Sequence, residues 1–287
     1  MAFRTVIIRN RCKLEYSLNY LVCRSETETR ILLDEISSLV IHSTEVSITT
    51  ALLSALSEKN IRVVFCDGKH NPQSQLLPIY GTNDSYRKIM SQTKWNELLK
   101  DEIWKDLIVR KIINQARNLM KINNSNFNKL LDYSKEVVNG DATNREGHAA
   151  KVYFNALFGN EFSRNKDCLI NTYLDYGYSI VLSAINREIK CYGYLTEVGI
   201  HHIGEINSFN LSCDLIEPLR PYVDLYVING KLDDDNFKKQ LSYMLNDKVK
   251  FKNQEMYLEN AIKLYVQNVL NVLKNGKGSI EFIDYEL

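Results

Sequence analysis

Residues 193–224, GYLTEVGIHHIGEINSFNLSCDLIEPLRPYVD, gather the side chains of this chain best suited to hold a metal ion. His201 and His202 are adjacent, and Asp214 and Glu217 follow with a spacing of three. Residues 207–212 read as the start of a helix, and a spacing of three then sets both acids on one helical face. Imidazole nitrogen combined with carboxylate oxygen suits Mn²⁺ or Mg²⁺ and phosphoryl chemistry, whereas a structural zinc site calls for more Cys or His at short spacing. The plainer alternative is a loop with a solvated histidine pair, followed by an amphipathic helix with two surface acids.

A second stretch, NREGHAAKVYFNALFG at residues 144–159, adds Glu146 at a predicted helix start. Gly147, Ala149 and Ala150 let that helix approach a neighbour closely, and Ala149, Tyr153, Ala156 and Leu157 form its apolar face. A first-turn glutamate also interacts favourably with a helix N-terminus, which is its plainer reading. Tyr153 reads as a packing residue. Of the other histidines, His42 lies in an apolar run and reads as buried and hydrogen-bonded, His70 sits in a turn, and His148 points to a different side of the helix from Glu146.

These residues must be positioned by the elements around them. From residue 3 to about Gly81, short runs such as RTVIIR, KLEYSL, YLVCR, TRILLD and SLVIHS are rich in Val, Ile and Leu, several alternating apolar with polar, and read as strands. One helix over residues 47–56 interrupts them, with Ser47 as its expected N-cap and Asn60 suited to a left-handed end. IRVVFCD returns as a buried strand, Asp67-Gly68 starts a turn, and residues 72–78 read as irregular. Beyond Asn83 the period lengthens. One long helix is expected over residues 91–122, with others at 127–138, 144–158, 167–191, 209–227, 235–245 and 255–273. Pro218 and Pro221 remove two helix donors and predict a break just after Glu217. Asp233, Asp234 and Asp235 read as a polar turn, and Lys248, Lys250 and Lys252 as a solvated edge. The fold expected is α+β: a small, β-sandwich-like domain at 1–81 and a larger all-α domain at 82–287.

Composition sets outer bounds. A 45% apolar share and 25% charged share are those of an ordinary globular protein, and a net charge of +1 advertises no polyanionic partner globally. A nucleic-acid surface would need its basic residues sorted onto one face. The six cysteines are scattered without a CxxC pair, which argues for reduced, mostly buried thiols. No stretch reads as a signal peptide or a membrane span, so the chain is expected to be cytoplasmic.

Taken together, REGHAAKVYFNALFG, GIHH and FNLSCDLIEPLRPYVD, in that order and behind a β-rich stretch, resemble the CRISPR-associated integrase. The form GIHHIGEINSFNLSCDLIEPLRP looks most like the version that accompanies type II-A systems. The resemblance covers essentially the whole chain and is weakest after Asn229. It implies that the metal-binding residues are Glu146, a histidine of GIHH taken as His202, and Glu217, with Asp214 and His201 in supporting roles. The ion implied is Mg²⁺ or Mn²⁺.

The implied reaction is attack by the 3′-hydroxyl of a short DNA fragment on a phosphodiester at the edge of a CRISPR repeat. It needs an ion with open coordination positions and no covalent protein intermediate. Arg145, Lys151, Arg164, Lys166 and Arg220 lie near the motifs and are candidates for phosphate contacts, although surface cations are more often simply solvated. Implied partners are double-stranded DNA, a second copy of the chain forming a homodimer through the β domain, and a small ferredoxin-like adaptation protein bridging two dimers. For type II-A they also include a ring-shaped DNA-end-binding protein and the RNA-guided effector nuclease. Two rivals are a stand-alone nuclease acting on branched repair intermediates and a noncatalytic DNA-binding scaffold.

Overall fold

The computed structural model describes residues 4–77, 79, 82–230 and 237–285. The alternating runs near the N-terminus form β1 (Arg4–Ile8), β2 (Cys12–Ser17), β3 (Tyr20–Arg24), β4 (Glu28–Leu32) and β5 (Ile36–Ile41). β6 (Val46–Ile48), α1 (Thr50–Glu58), β7 (Arg62–Cys66) and β8 (Pro72–Leu76) complete this region. One sheet has the order β1-β5-β7-β8 and the other β4-β3-β2-β6. Leu14 and Leu21 of the second sheet share one core with Leu39 and Val63 of the first and with Leu52 and Leu56 of α1. Burial of this shared apolar face is what makes the region sandwich-like.

Two local readings are corrected here. Ser47 is not the cap of α1, because it is spent in β6, where it pairs in parallel with Lys13; Thr49 caps the helix instead, accepting from the Leu52 amide. Residues 72–76 are not irregular. They form an edge strand antiparallel to β7 that begins at Pro72, a position where a missing N–H costs little. Asn60 does take a left-handed conformation, at φ 53°. The expected domain boundary at Gly81 and the three aspartates at 233–235 lie outside the described residues.

The remainder is mainly helical: α2 (Ser85–Gln92), α3 (Glu97–Lys121), α4 (Phe127–Lys135), α5 (Arg145–Phe158), α6 (Leu169–Cys191), α7 (Asn210–Ile216), α8 (Arg220–Asn229), α9 (Phe237–Tyr243) and α10 (Leu258–Asn275). The single helix expected over 91–122 is divided, because Asn96 caps α3 by accepting from the Leu99 amide and thereby ends continuity with α2. The region is not all-α either. A β-hairpin, β9 (Lys248–Phe251) with β10 (Gln254–Tyr257), turns through Lys252 and Asn253 at positive φ and delays the last helix to Leu258. Val249 and Phe251 face inward while Lys248 and Lys250 stay exposed, so the lysine alternation is the outer face of a strand. Of the six thiols only Cys12 and Cys66 are buried and the other four are half-buried; all are free.

Buried polar contacts tie the β region to the helices. Arg62 of β7 donates to the Ile180 carbonyl and to Ser183 Oγ of α6, both at 3.0 Å. Glu259 of α10 lies 3.9 Å from Arg62 and accepts from Arg187 of α6 at 2.9 Å, and His42 meets Tyr176 of α6 at 2.7 Å. Gly177 of α6 sits where an added Cβ would be 2.4 Å from Val223, so α6 and α8 approach through that glycine. The core helices are thus packed tightly enough to hold side chains from distant segments in register.

Candidate active site

Three segments converge on one helix. α3 carries Trp104 and Lys111 two turns apart on a buried face, and Asn114 and Asn118 continue it. The prediction of a break after Glu217 holds: α7 gives way to a 3₁₀ turn at Glu217–Leu219 before α8 begins. α3 accommodates that break. Asn114 donates to the Pro218 carbonyl at 2.9 Å, and Asn118 to the Pro221 carbonyl at 2.7 Å. These bonds occupy backbone acceptors that would otherwise be buried without partners. Asn118 also donates to Tyr153 Oη at 2.8 Å, and Tyr153 is fully buried, which settles its packing role.

Glu146 is held by the start of α5. Asn144, at φ 51°, caps the helix by accepting from the Gly147 amide, while Asp141 accepts from the Arg145 and Glu146 amides at 2.9 and 3.0 Å. With both amides satisfied by Asp141, the Glu146 carboxylate is left to reach Lys111. Its Oε1 lies 2.5 Å from Lys111 Nζ, and Glu217 Oε2 lies 2.5 Å from the same nitrogen. Residues 71 positions apart in sequence therefore share one ammonium, and their nearest oxygens are separated by no more than twice that distance. Arg220 Nε donates to the other Glu217 oxygen at 2.8 Å, and its guanidinium lies 4.7 Å from the Tyr178 ring centre.

Burial and charge compete at these groups. Desolvation pushes the Glu217 carboxyl up, but Arg220 and Lys111 outweigh it and hold the group well below its usual range. Desolvation pulls Lys111 down, but Glu217 and Glu146 outweigh it and keep the ammonium above its usual range. The two shifts are opposite in direction and both favour the charged form, as expected of opposite charges stabilising one another in a poorly hydrated site. Beneath them, Asp224 is fully buried, accepts from Tyr178 and is pushed up to about 6, chiefly by burial.

The histidine pair is built by α7. Asp214 is 0% exposed, and its carboxylate accepts from the backbone amides of Ile200, His201 and His202 at 2.5, 3.2 and 3.0 Å. Its Oδ1 also lies 2.6 Å from His202 Nδ1. This bond raises the His202 pKa more than burial lowers it. Gly199 is required by the same contact, since an added Cβ would sit 2.4 Å from the His202 carbonyl oxygen and 2.8 Å from Asp214. Gln92 at the end of α2 fixes the preceding segment through the Leu195 and Val198 carbonyls at 2.8 and 2.9 Å. The Asp214 carboxylate thus organises the loop through three backbone amides and also engages His202 Nδ1.

Among the described residues no three His, Cys, Asp or Glu side chains are drawn together closely enough to hold an ion. Glu146 and Glu217 meet at Lys111; both also act electrostatically on His202 without touching it. The donor set nevertheless fits a hard divalent ion in kind. Two carboxylates already converge on a cation, and the imidazole has one nitrogen fixed by an outer carboxylate, an arrangement that orients ligating histidines. Lys111 was missed by sequence reading. Its signal was present: in Leu107, Ile108, Lys111, Ile112 a lysine interrupts an apolar helical stripe, where an unpaired charge would be costly.

The candidate phosphate-binding residues are differently placed. Arg145 pairs with Glu136 at 2.9 Å, Arg164 with Asp175, and Arg220 with Glu217. Lys151 is exposed, as is Lys166, whose ammonium donates to the Glu161 carbonyl at 2.5 Å.

Comparison with known proteins decides the family. The family model described as CRISPR associated protein Cas1 matches residues 5–257. The chain belongs to the Cas1 family. It is 36% identical over 231 residues to a CRISPR-associated endonuclease Cas1 of Neisseria meningitidis, covering 80% of this chain and 76% of that protein. It is 28% identical over 236 residues to one from Pyrobaculum aerophilum, covering 75% and 78%. Among solved structures, a casposase bound to integration product superposes with a TM-score of 0.78 at 20% identity, over 96% of this chain and 92% of that one. A CAS1 protein from Thermotoga maritima gives 0.72 at 17% identity, over 94% and 97%. A chain of a Cas6-RT-Cas1–Cas2 complex gives 0.73 at 18% identity, over 96% of this chain and 35% of that one. These structures share the fold, a β-rich region followed by a helical one. Among the described residues no helix is long and apolar enough to cross a membrane.

Proposed function

We propose that this Cas1-family chain is a metal-dependent DNA integrase, joining the 3′-hydroxyl of a short duplex to a phosphodiester at the edge of a CRISPR repeat. The observation that carries the reading is the convergence of Glu146 and Glu217, from two separate motif segments, on a single cationic centre. Glu146, His202 and Glu217 would hold Mg²⁺ or Mn²⁺, which supplies activation of the attacking hydroxyl and neutralisation of charge on the phosphate oxygens. The chain's own groups do the positioning. Asp214 aims His202, Arg220 keeps Glu217 ionised, and Asp141 aims the start of α5 at the site. Arg145, Lys151, Arg164, Lys166 and Arg220 are the proposed phosphate contacts, with Arg145 and Arg164 exchanging an acid for DNA.

The motif form favours the type II-A version, acting in the cytoplasm. Its proposed partners are a second copy joined through the β region, a small ferredoxin-like adaptation protein, a ring-shaped DNA-end-binding protein and the RNA-guided effector nuclease. The Cas1–Cas2 complexes among the structural neighbours support the second of these by analogy. The test is a strand-transfer assay using a repeat-containing plasmid and a short duplex with 3′-hydroxyl ends, with and without the small partner. Joined product that requires Mg²⁺ or Mn²⁺ supports the proposal. Cleavage of branched DNA with no joining would favour a stand-alone nuclease, as the curated relatives' description as endonucleases would allow; duplex binding with neither reaction would favour a scaffold.

A further inference from the structure

Lys111 is 7% exposed and rises from a helix face shared with Leu107, Ile108 and Ile112, yet its ammonium makes two 2.5 Å contacts, one to each acid. Two carboxylates brought this close repel one another, and a cation between them offsets that repulsion. Lys111 is that cation in the chain as it folds. A divalent ion would do the same work with twice the charge and would need the same carboxylate oxygens. Ammonium and ion cannot both keep these contacts.

We propose that Lys111 is a built-in counter-ion that holds the metal site together when no metal is bound and competes with the incoming ion for Glu146 and Glu217. The inference rests on the proposed metal site. Two functions follow from the competition. The acids stay close without metal, and the site binds a divalent ion more weakly than its carboxylates alone would.

The experiment measures Mn²⁺ binding to the full chain by calorimetry, together with the melting temperature with and without Mn²⁺. Wild type is compared with Lys111→Met, Lys111→Gln and Arg117→Met. Arg117 lies on the same helix but pairs with Asp284, so it controls for loss of a nearby positive charge. Lys111→Gln keeps the two N–H donors of an amide and guards against failure of the methionine variant to fold. Competition predicts that both Lys111 variants melt lower than wild type without metal, bind Mn²⁺ at least about tenfold more tightly, and gain more in melting temperature when it binds. Arg117→Met should bind Mn²⁺ within about twofold of wild type. Equal or weaker binding by the Lys111 variants, with wild type still binding, overturns the competition and leaves the metal site standing. No Mn²⁺ binding by any of these proteins overturns both.

Discussion

Trp104 lies flat against His201, with ring centres 4.2 Å apart and planes 3° from parallel, while His202 stands edge-on to the same indole at 5.6 Å. The adjacent histidines are thereby separated in role. His201 is packed against a buried indole; His202 is anchored at Nδ1 by Asp214, leaving Nε2 as its remaining donor atom. His202→Ala should lose metal-dependent strand transfer by about two orders of magnitude or more with little change in melting temperature. His201→Ala should retain most activity and lose about 1 kcal/mol of stability as the stack is removed. Measuring strand transfer and thermal unfolding on both proteins decides between them; equal activity losses in two well-folded variants would undo the separation.

Limited proteolysis tests the two-domain organisation. Turn residues cluster over 69–83, but β8 is hydrogen-bonded to β7 up to the Leu76–Val63 pair, which protects the first half of that window. Early cuts are expected between residues 77 and 84, leaving the helical fragment intact. Early cutting near Asn144 instead, with 77–84 protected, would place the boundary elsewhere.

Where a side-chain pattern fixes packing, the chain was readable. SLVIHS reads as a strand from its apolar run, which is buried on both faces, Leu39 and Ile41 toward one core and Val40 toward another, and Ala149 among the small residues after Glu146 is fully buried. β8, PQSQL, carries no apolar alternation because it lies at a sheet edge, and its pairing is set by β7 rather than by its own composition. The candidate residues were readable as types, since the motif stretches gather His, Asp and Glu at short spacing. Their arrangement was not. That Asp214 takes three backbone amides and that Lys111 bridges two distant acids are consequences of tertiary packing around α3, and local periodicity contains no term for either.

Acid sensitivity should separate two buried groups that work in opposite directions. His42 is buried against Tyr176, and burial holds its pKa down at about 4 from an ordinary 6.5. Between those values the unfolded chain takes a proton that the folded chain refuses, so stability falls as pH drops through this window. Asp224, pushed up to about 6 from 3.8, holds a proton when folded that the unfolded chain has released. Its contribution is present at low pH and is lost as pH rises through 6. His42→Asn should therefore flatten the loss of stability on acidification, by on the order of 1 to 2 kcal/mol. Asp224→Asn should steepen it. Denaturant unfolding of both variants across pH 4 to 7 gives the slopes, and two slopes parallel to wild type would refute the assignment to these groups.

Glu146→Gln is the decisive substitution, because Glu146 is far in sequence from the other proposed ligands and meets them only through the folded helices. Glutamine keeps the volume, the helix propensity and an oxygen able to accept from Lys111. The side chain is 29% exposed, so losing its charge should cost about 1 kcal/mol or less. The start of α5 should be unaffected, since its amides are held by Asn144 and Asp141. DNA affinity, resting mainly on Lys and Arg contacts to phosphate, should change little and keep its steep dependence on salt. Strand transfer should fall by orders of magnitude, because a neutral amide no longer offers a hard cation the charge that binds it. Melting temperature, duplex binding and strand transfer measured on one preparation separate the possibilities. Near-normal strand transfer would remove Glu146 from the metal site. Loss of all three properties together would instead make it a structural residue, its charge needed to balance Lys111 in the core.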